Sequence, residues 1–240
     1  MPSYNDQGII LKSFNLSEAD KILNIYTKEN GLVRCIAKGA KKPSGKFSGR
    51  TDLLYCSFFQ FAKGKNLDTL CDIEQITTFP KLRSSSNLLF YGILFLDIVN
   101  NFAQEEEEES NHIFELLYSM LDELQTSKSP EIVAIRFIIQ FLSLHGLKPQ
   151  LETCVACSKE IVKSKDTYPY SSILGGLLCD ECLAIDHISI SNGILDILSL
   201  PTIQTNNDME TKRGALKLLQ KHINTRAKKE VKTFDLVFSL

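Results

Sequence analysis

Two Cys-x-x-Cys pairs, Cys154/Cys157 and Cys179/Cys182, are separated by twenty-one residues. Each pair can close a tight turn that aims two thiolates at one ion, and together they supply the four sulfurs that tetrahedral zinc prefers. The pattern constrains the fold directly, because residues 154–182 must return on themselves to bring the pairs together. The stretch Gly175-Gly176 ahead of Cys179 suits that return, since glycine lets the backbone fold back towards a metal. Four protein ligands leave no open coordination position, so one Zn2+ per chain is expected to be structural and not catalytic. The segment has few apolar residues of its own, and structural zinc contributes about 10–16 kcal/mol of apparent binding free energy. Asp180, Glu181 and Asp186 crowd the second turn and disfavour a DNA-reading finger; neither His145 nor His187 has ligand spacing.

The chain has 240 residues, 43% of them hydrophobic, enough to bury a real core in two modest domains. Met1–Asp6 lacks the charged-then-apolar pattern of a secretory signal, and the longest apolar stretch, Leu88–Val99, contains Asp97 and is too short for a bilayer. With no membrane or export signal, seven cysteines imply a reducing cytoplasm and metal binding, not a disulfide framework. Cys35, Cys56 and Cys71 lie on strand-like segments and are read as small buried apolar residues.

The predicted class is α+β. Residues 1–80 show short strand-forming runs between turn signals: Gly8–Phe14, Lys21–Tyr26, Leu32–Ala37, Leu53–Phe61 and Thr69–Thr77. Val33, Cys35 and Ala37 alternate inward, and Asn30-Gly31 marks a hairpin between the second and third runs. Five short strands with a long connection after the third suit a small partly open barrel such as the OB-fold; an SH3-like barrel fits the same pattern.

Charge is divided unevenly: eleven basic against eight acidic residues in 1–80, and sixteen against twenty-one in 81–240. The long connection, residues 38–50, holds Lys38, Lys41, Lys42, Lys46 and Arg50, three glycines, Phe47 and no acid. Such a loop can grip phosphates through glycine N–H groups and through cations that release condensed counterions. Arg34 on the strand entering it, with Lys63 and Lys65 nearby in the next turn, extends the positive surface. A solvated basic loop without a ligand is the competing reading. Tyr55, Phe58, Phe59 and Phe61 point to both faces of the fourth strand and are read mainly as core or domain seam. Tyr26 and Phe47 sit beside charged, turn-rich sequence and are the better base-stacking candidates.

Residues 81–240 read as helical with the four-cysteine segment as an insert. Pro80–Ser86 marks the domain change; helices are expected through Leu88–Val99, Ile113–Leu124, Pro130 to Gly146, Ser191–Leu200 and Glu210–Lys228. Glu105–Glu109 is read as a solvated loop or helix start. The last helix and tail, with Lys212, Arg213, Lys217, Lys221, Arg226, Lys228, Lys229 and Lys232, form a second basic surface.

Taken together, Gly8-Ile9-Ile10-Leu11-Lys12, Glu18-Ala19-Asp20-Lys21-Ile22, Ala37-Lys38-Gly39-Ala40-Lys41-Lys42-Pro43, Leu67-Asp68-Thr69-Leu70, Phe114-Glu115-Leu116-Leu117 and Gly146–Leu151, followed by the four cysteines, resemble the bacterial RecO recombination mediators over nearly the whole chain. The resemblance implies an N-terminal OB-fold domain over 1–80, a helical domain over 81–240 with zinc at 154–182, and no enzymatic activity. It implies binding of single- and double-stranded DNA, annealing of complementary strands, and cooperation with RecR to load RecA on DNA covered by single-stranded DNA-binding protein. It also implies recognition of that protein's acidic C-terminal tail, for which Arg136, a cation among apolar helix residues, is the candidate. Lys38, Lys41, Lys42 and Lys46 carry over as DNA contacts. Lys41 and Lys42 stand where the family frequently has Arg, keeping the charge but not the bidentate phosphate geometry. The implied location is the bacterial cytoplasm, at the nucleoid when DNA-bound. The competing class is a zinc-stabilised protein-interaction adaptor with little direct DNA binding; a zinc enzyme is disfavoured by the closed thiolate shell.

Overall fold

Residues with alternating burial build five N-terminal strands, β1 (Ser3–Asn15), β2 (Lys21–Thr27), β3 (Gly31–Ala37), β4 (Cys56–Ala62) and β5 (Asp68–Thr77). The computed structural model describes residues 2–201 and 208–239, which divide into two compact units, Met1–Thr126 with Asp235–Leu240 and Ser127–Phe234. Each expected strand is present, with β1 five residues longer at its start than the alternation suggests. The strands close a barrel in the order β1-β2-β3-β5-β4, all pairs antiparallel except the short β3–β5 pairing.

Ile10, Leu23, Ile25, Val33, Cys35, Ala37, Phe59, Phe61, Leu70 and Ile73 fill the barrel. The inward set on β3 is the expected one. Burial pushes the Cys35 thiol up and the Cys56 thiol up to about 11, so both stay neutral and pack as apolar groups. Asn30-Gly31 closes the β2–β3 hairpin with Gly31 at φ +64°, and the buried Asp6 carboxylate accepts from the N–H groups of Glu29 and Asn30 and from Asn30 Nδ2.

The connection out of β5 is not a simple polar break. Pro80–Arg83 forms a helical turn, α1, that buries Leu82. It leads to α2 (Ser86–Phe102), capped by Ser85, and to α3 (Ser110–Leu124). Both helices pack on β1 and β2. Glu105–Glu109, expected as a solvated loop or helix start, leads into α3 with Glu105, Glu106, Glu108 and Glu109 exposed, and it also runs along the β2–β3 hairpin. Leu32 N–H donates to Gln104 O, Glu106 N–H donates to Asn30 O, and Tyr26 Oη donates to Glu107 at 2.8 Å. The run is anchored because α2 delivers it beside the β2–β3 hairpin, where Asn30 O accepts from Glu106 N–H and Tyr26 donates to Glu107.

In the second unit, α4 (Pro130–Leu144) starts at Ser129-Pro130 and ends at Gly146, whose φ of +67° lets Leu147 N–H reach back to Leu142 O. Strands β6 (Thr167–Ser171), β7 (Gly176–Leu177) and β8 (Ile188–Ser191) form a small antiparallel sheet in the order β7-β6-β8. Helices α5 (Asn192–Ser199) and α6 (Met209–Asn224) follow, capped by Ser191 and Asp208, and α6 packs on α4 and α5. A short helix α7 spans Thr233–Phe238. No described helix is long and apolar enough to cross a membrane.

Candidate nucleic-acid interface and metal centre

Residues 38–50 fold as a chain of successive turns, with Lys42, Gly45, Ser48 and Arg50 N–H groups donating to the carbonyls three residues earlier. The loop is fastened to the β1–β2 turn by Gly39 N–H on the Asp20 carboxylate at 2.8 Å and by Lys41 N–H on Ala19 O. These backbone donors are therefore spent inside the protein. Of the three glycines expected to grip phosphate, Gly39 and Gly45 have their N–H groups occupied and Gly49 does not among the described residues, so most of the loop's capacity for an anion lies in its side chains.

The cations differ in how committed they are. Lys38 and Lys42 are exposed and make no side-chain hydrogen bond or ion pair among the described residues. Exposed Lys41 donates to Ser17 O. Lys46 pairs with Asp72 at 3.3 Å and donates to Cys71 O; Arg50 donates to Ile73 O and Lys46 O. Arg34 pairs with Glu105 at 2.6 Å. The structure thus brings Lys38, Lys41 and Lys42 together beside the β1–β2 turn, while Lys46, Arg50 and Arg34 hold local structure.

Both expected stacking residues are corrected. Phe47 turns inward with Ala40 to plug the barrel and is 5% exposed, and Tyr26 is fully buried with its hydroxyl on Glu107. A loop of this length returns to the barrel, and its one aromatic is its natural plug. The exposed aromatics are elsewhere. Phe58 on β4 is 50% exposed and Phe14 at the end of β1 is 49% exposed.

The four cysteines meet as the spacing requires. Their Sγ atoms all lie within 4.8 Å of one another, and Cys157 and Cys179 are 3.6 Å apart. A regular tetrahedron with Zn–S bonds of about 2.3 Å has sulfurs about 3.8 Å apart, so the cluster fits a zinc ion. Cys154 and Cys157 lie in a hairpin where Cys154 N–H donates to Lys159 O and Ser158, at φ +63°, donates to Cys154 O. Gly176 brings the second turn close: Leu177 N–H donates to Gln150 O, Val155 N–H donates to Leu177 O, and a Cβ at Gly176 would stand 2.4 Å from Gln150 O.

The local electrostatics suit a cation there. Burial opposes ionisation of Cys154, yet the N–H groups of Cys179, Ala156 and Cys157 hold its thiol down to about 6. Cys182 moves the other way, pushed up to about 12, first by its hydrogen bond to Cys179 and then by burial. One thiolate is favoured and further ones repel, so four thiolates need a divalent ion between them.

Two side chains of the second unit take structural roles that the sequence does not announce. His222 on α6 is buried, with Nε2 2.8 Å from Leu147 O and Nδ1 2.6 Å from Tyr170 Oη; its spacing from Leu218 and Leu219 was the available signal. Arg226, expected in the basic surface, folds back to donate to Ser172 O and His222 O and so pins the turn after β6. Lys217 and Lys221 do stay exposed, and Arg136 lies half-buried on α4.

Two family models match: recombination protein O N terminal over residues 1–79 and recombination protein O C terminal over residues 83–233. Among similar curated proteins, the DNA repair protein RecO of Symbiobacterium thermophilum is 31% identical over 76% of this chain and 72% of its own length. That of Acetivibrio thermocellus is 31% identical over 80% and 76%, and that of Desulforamulus reducens 28% identical over 99% and 94%.

Proposed function

The chain belongs to the recombination protein O family, and on that footing we propose that it is a non-enzymatic DNA-binding recombination mediator acting in DNA repair. It binds single- and double-stranded DNA and anneals complementary strands. With RecR, it assists loading of RecA on DNA covered by single-stranded DNA-binding protein, whose acidic tail it takes near Arg136. It acts in the bacterial cytoplasm. The barrel is an OB-fold, a reading supported by the closed order β1-β2-β3-β5-β4. Residues 1–80 carry DNA and residues 81–240 carry partner contacts.

The observation that carries the reading is the pair of uncommitted cations, Lys38 and Lys42, on a basic loop clamped to the barrel. Phosphates displace counterions there without breaking an internal ion pair. Lys41 joins them at the cost of one hydrogen bond to a carbonyl; Lys46, Arg50 and Arg34 contribute after giving up theirs. Two strands held on one positive surface repel less while their base edges stay free to pair, so annealing needs no catalytic group.

Zinc held by Cys154, Cys157, Cys179 and Cys182 supplies a structural crosslink. The crosslink holds β7 against the first cysteine turn, a reading supported by the Gln150–Leu177 and Val155–Leu177 bonds.

The direct test is annealing of complementary oligonucleotides, bare and coated with single-stranded DNA-binding protein. The proposal expects acceleration in both, reduced by Lys38→Glu/Lys42→Glu. Annealing at the uncatalysed rate would overturn it in favour of an adaptor.

A further inference from the structure

We propose that Phe14 is a base-stacking residue that gives this surface its preference for unpaired over paired DNA. The inference rests on the reading of the basic loop as a phosphate contact and adds to it the group that meets the bases.

The starting point is a bulge. In β1, Ile10 pairs with Ile25 but Lys12 pairs with Asn24, so Leu11 is an extra residue in the strand. Side chains alternate along a strand, and without the bulge positions 10, 12 and 14 would all face the barrel interior. With it, Ser13 takes the inward position opposite Leu23, and Lys12 and Phe14 turn outward. A large aromatic is thereby taken out of the core and left 49% exposed.

Two outward rows cross β1, β2 and β3 in register. The row Lys12–Asn24–Arg34 is occupied: Lys12 pairs with Asp97 at 2.9 Å, Asn24 donates to Asn100 at 2.7 Å, and Arg34 pairs with Glu105. The next row, Phe14–Ile22–Ile36, is apolar and at least partly exposed. It borders the β1–β2 turn, which carries exposed Leu16 and the acid Glu18, and that turn is tied to the basic loop through Asp20 and Lys41. An apolar strip bearing one exposed aromatic therefore lies along a rim with Lys38, Lys41 and Lys42.

That combination matches one occupant, an unpaired DNA strand. Its phosphates meet lysines and a base covers the aromatic face, a contact every base can make whatever its sequence. A duplex offers the same phosphates but keeps its base faces stacked internally, so Phe14 adds nothing to duplex binding.

The chain contains no tryptophan, so Phe14→Trp introduces a single reporter. Its fluorescence should be quenched on titration with an oligothymidylate and stay unquenched with a blunt duplex of equal length. Phe14→Ala should weaken single-strand affinity about 5- to 100-fold and leave duplex affinity and the salt dependence of both unchanged. Phe14→Leu, which keeps apolar bulk without a π face, should behave like Phe14→Ala. Full affinity in Phe14→Leu, equal losses on both DNAs, or an unquenched reporter would overturn the assignment. Lys38→Gln/Lys42→Gln separates it from the reading beneath: loss on both DNAs in that variant with none in Phe14→Ala sinks the stacking role alone. A wild type that binds neither DNA sinks both.

Discussion

Acidification should destabilise the second unit through His222, and the size of the effect follows from its surroundings. Leu147 O can only accept, so Nε2 carries the proton and Nδ1 accepts from the Tyr170 hydroxyl. A second proton on this ring would have to displace that hydroxyl bond inside the protein. Burial, with Arg226 nearby, accordingly brings the imidazole from 6.5 down to about 4. The folded state thus binds the proton less readily than the unfolded state. Stability is unaffected above the unfolded value near 6.5 and is lost as pH falls from there towards about 4. Between pH 7.5 and 5.0 the loss is about 1.5 pH units at roughly 1.4 kcal/mol each, or about 2 kcal/mol. His222→Gln keeps an N–H for Leu147 O but cannot titrate, so the variant isolates this contribution from thiolate protonation at the metal centre. Urea unfolding followed by circular dichroism should find wild type ahead of His222→Gln at pH 7.5 by a margin that shrinks by about 2 kcal/mol at pH 5.0. A margin identical at both pH values would refute the account of the Tyr170–His222–Leu147 chain.

Elemental analysis of purified protein should find one zinc per chain, and stripping it with a strong chelator should lower the melting temperature and increase proteolysis within residues 150–190; an unchanged melt after complete removal would contradict a structural role. Gly176→Ala removes no ligand, yet its Cβ would meet the Gln150 carbonyl and Val155. It should weaken zinc retention in a chelator competition by at least tenfold, and wild-type retention would show that the approach of the two cysteine turns does not depend on that glycine.

How much was legible depended on whether a residue's role is local. Alternation at Val33, Cys35 and Ala37 and the turn at Asn30-Gly31 report directly on strands and their hairpin, and both appear as expected. The cysteine spacing likewise encodes its own geometry. The burial of Tyr26 and Phe47 is not legible in sequence because it depends on distant partners, the Glu107 carboxylate in one case and the closed barrel in the other. A bulge at Leu11 leaves no mark in a hydrophobic pattern, so the exposure of Phe14 becomes visible only through its register with β2. The glutamate run is mostly exposed, as its composition implies, whereas its bonds to the β2–β3 hairpin depend on where α2 ends, which composition cannot reveal.

The central claim is that DNA is held by uncommitted lysines of the loop between β3 and β4. Single-strand affinity measured as a function of salt tests it most directly, since each phosphate neutralised contributes about 0.7 to the slope of log affinity against log salt. Lys38→Gln/Lys42→Gln should lower the slope by about 1.4 relative to wild type with the fold unchanged. A slope equal to that of wild type would contradict the claim.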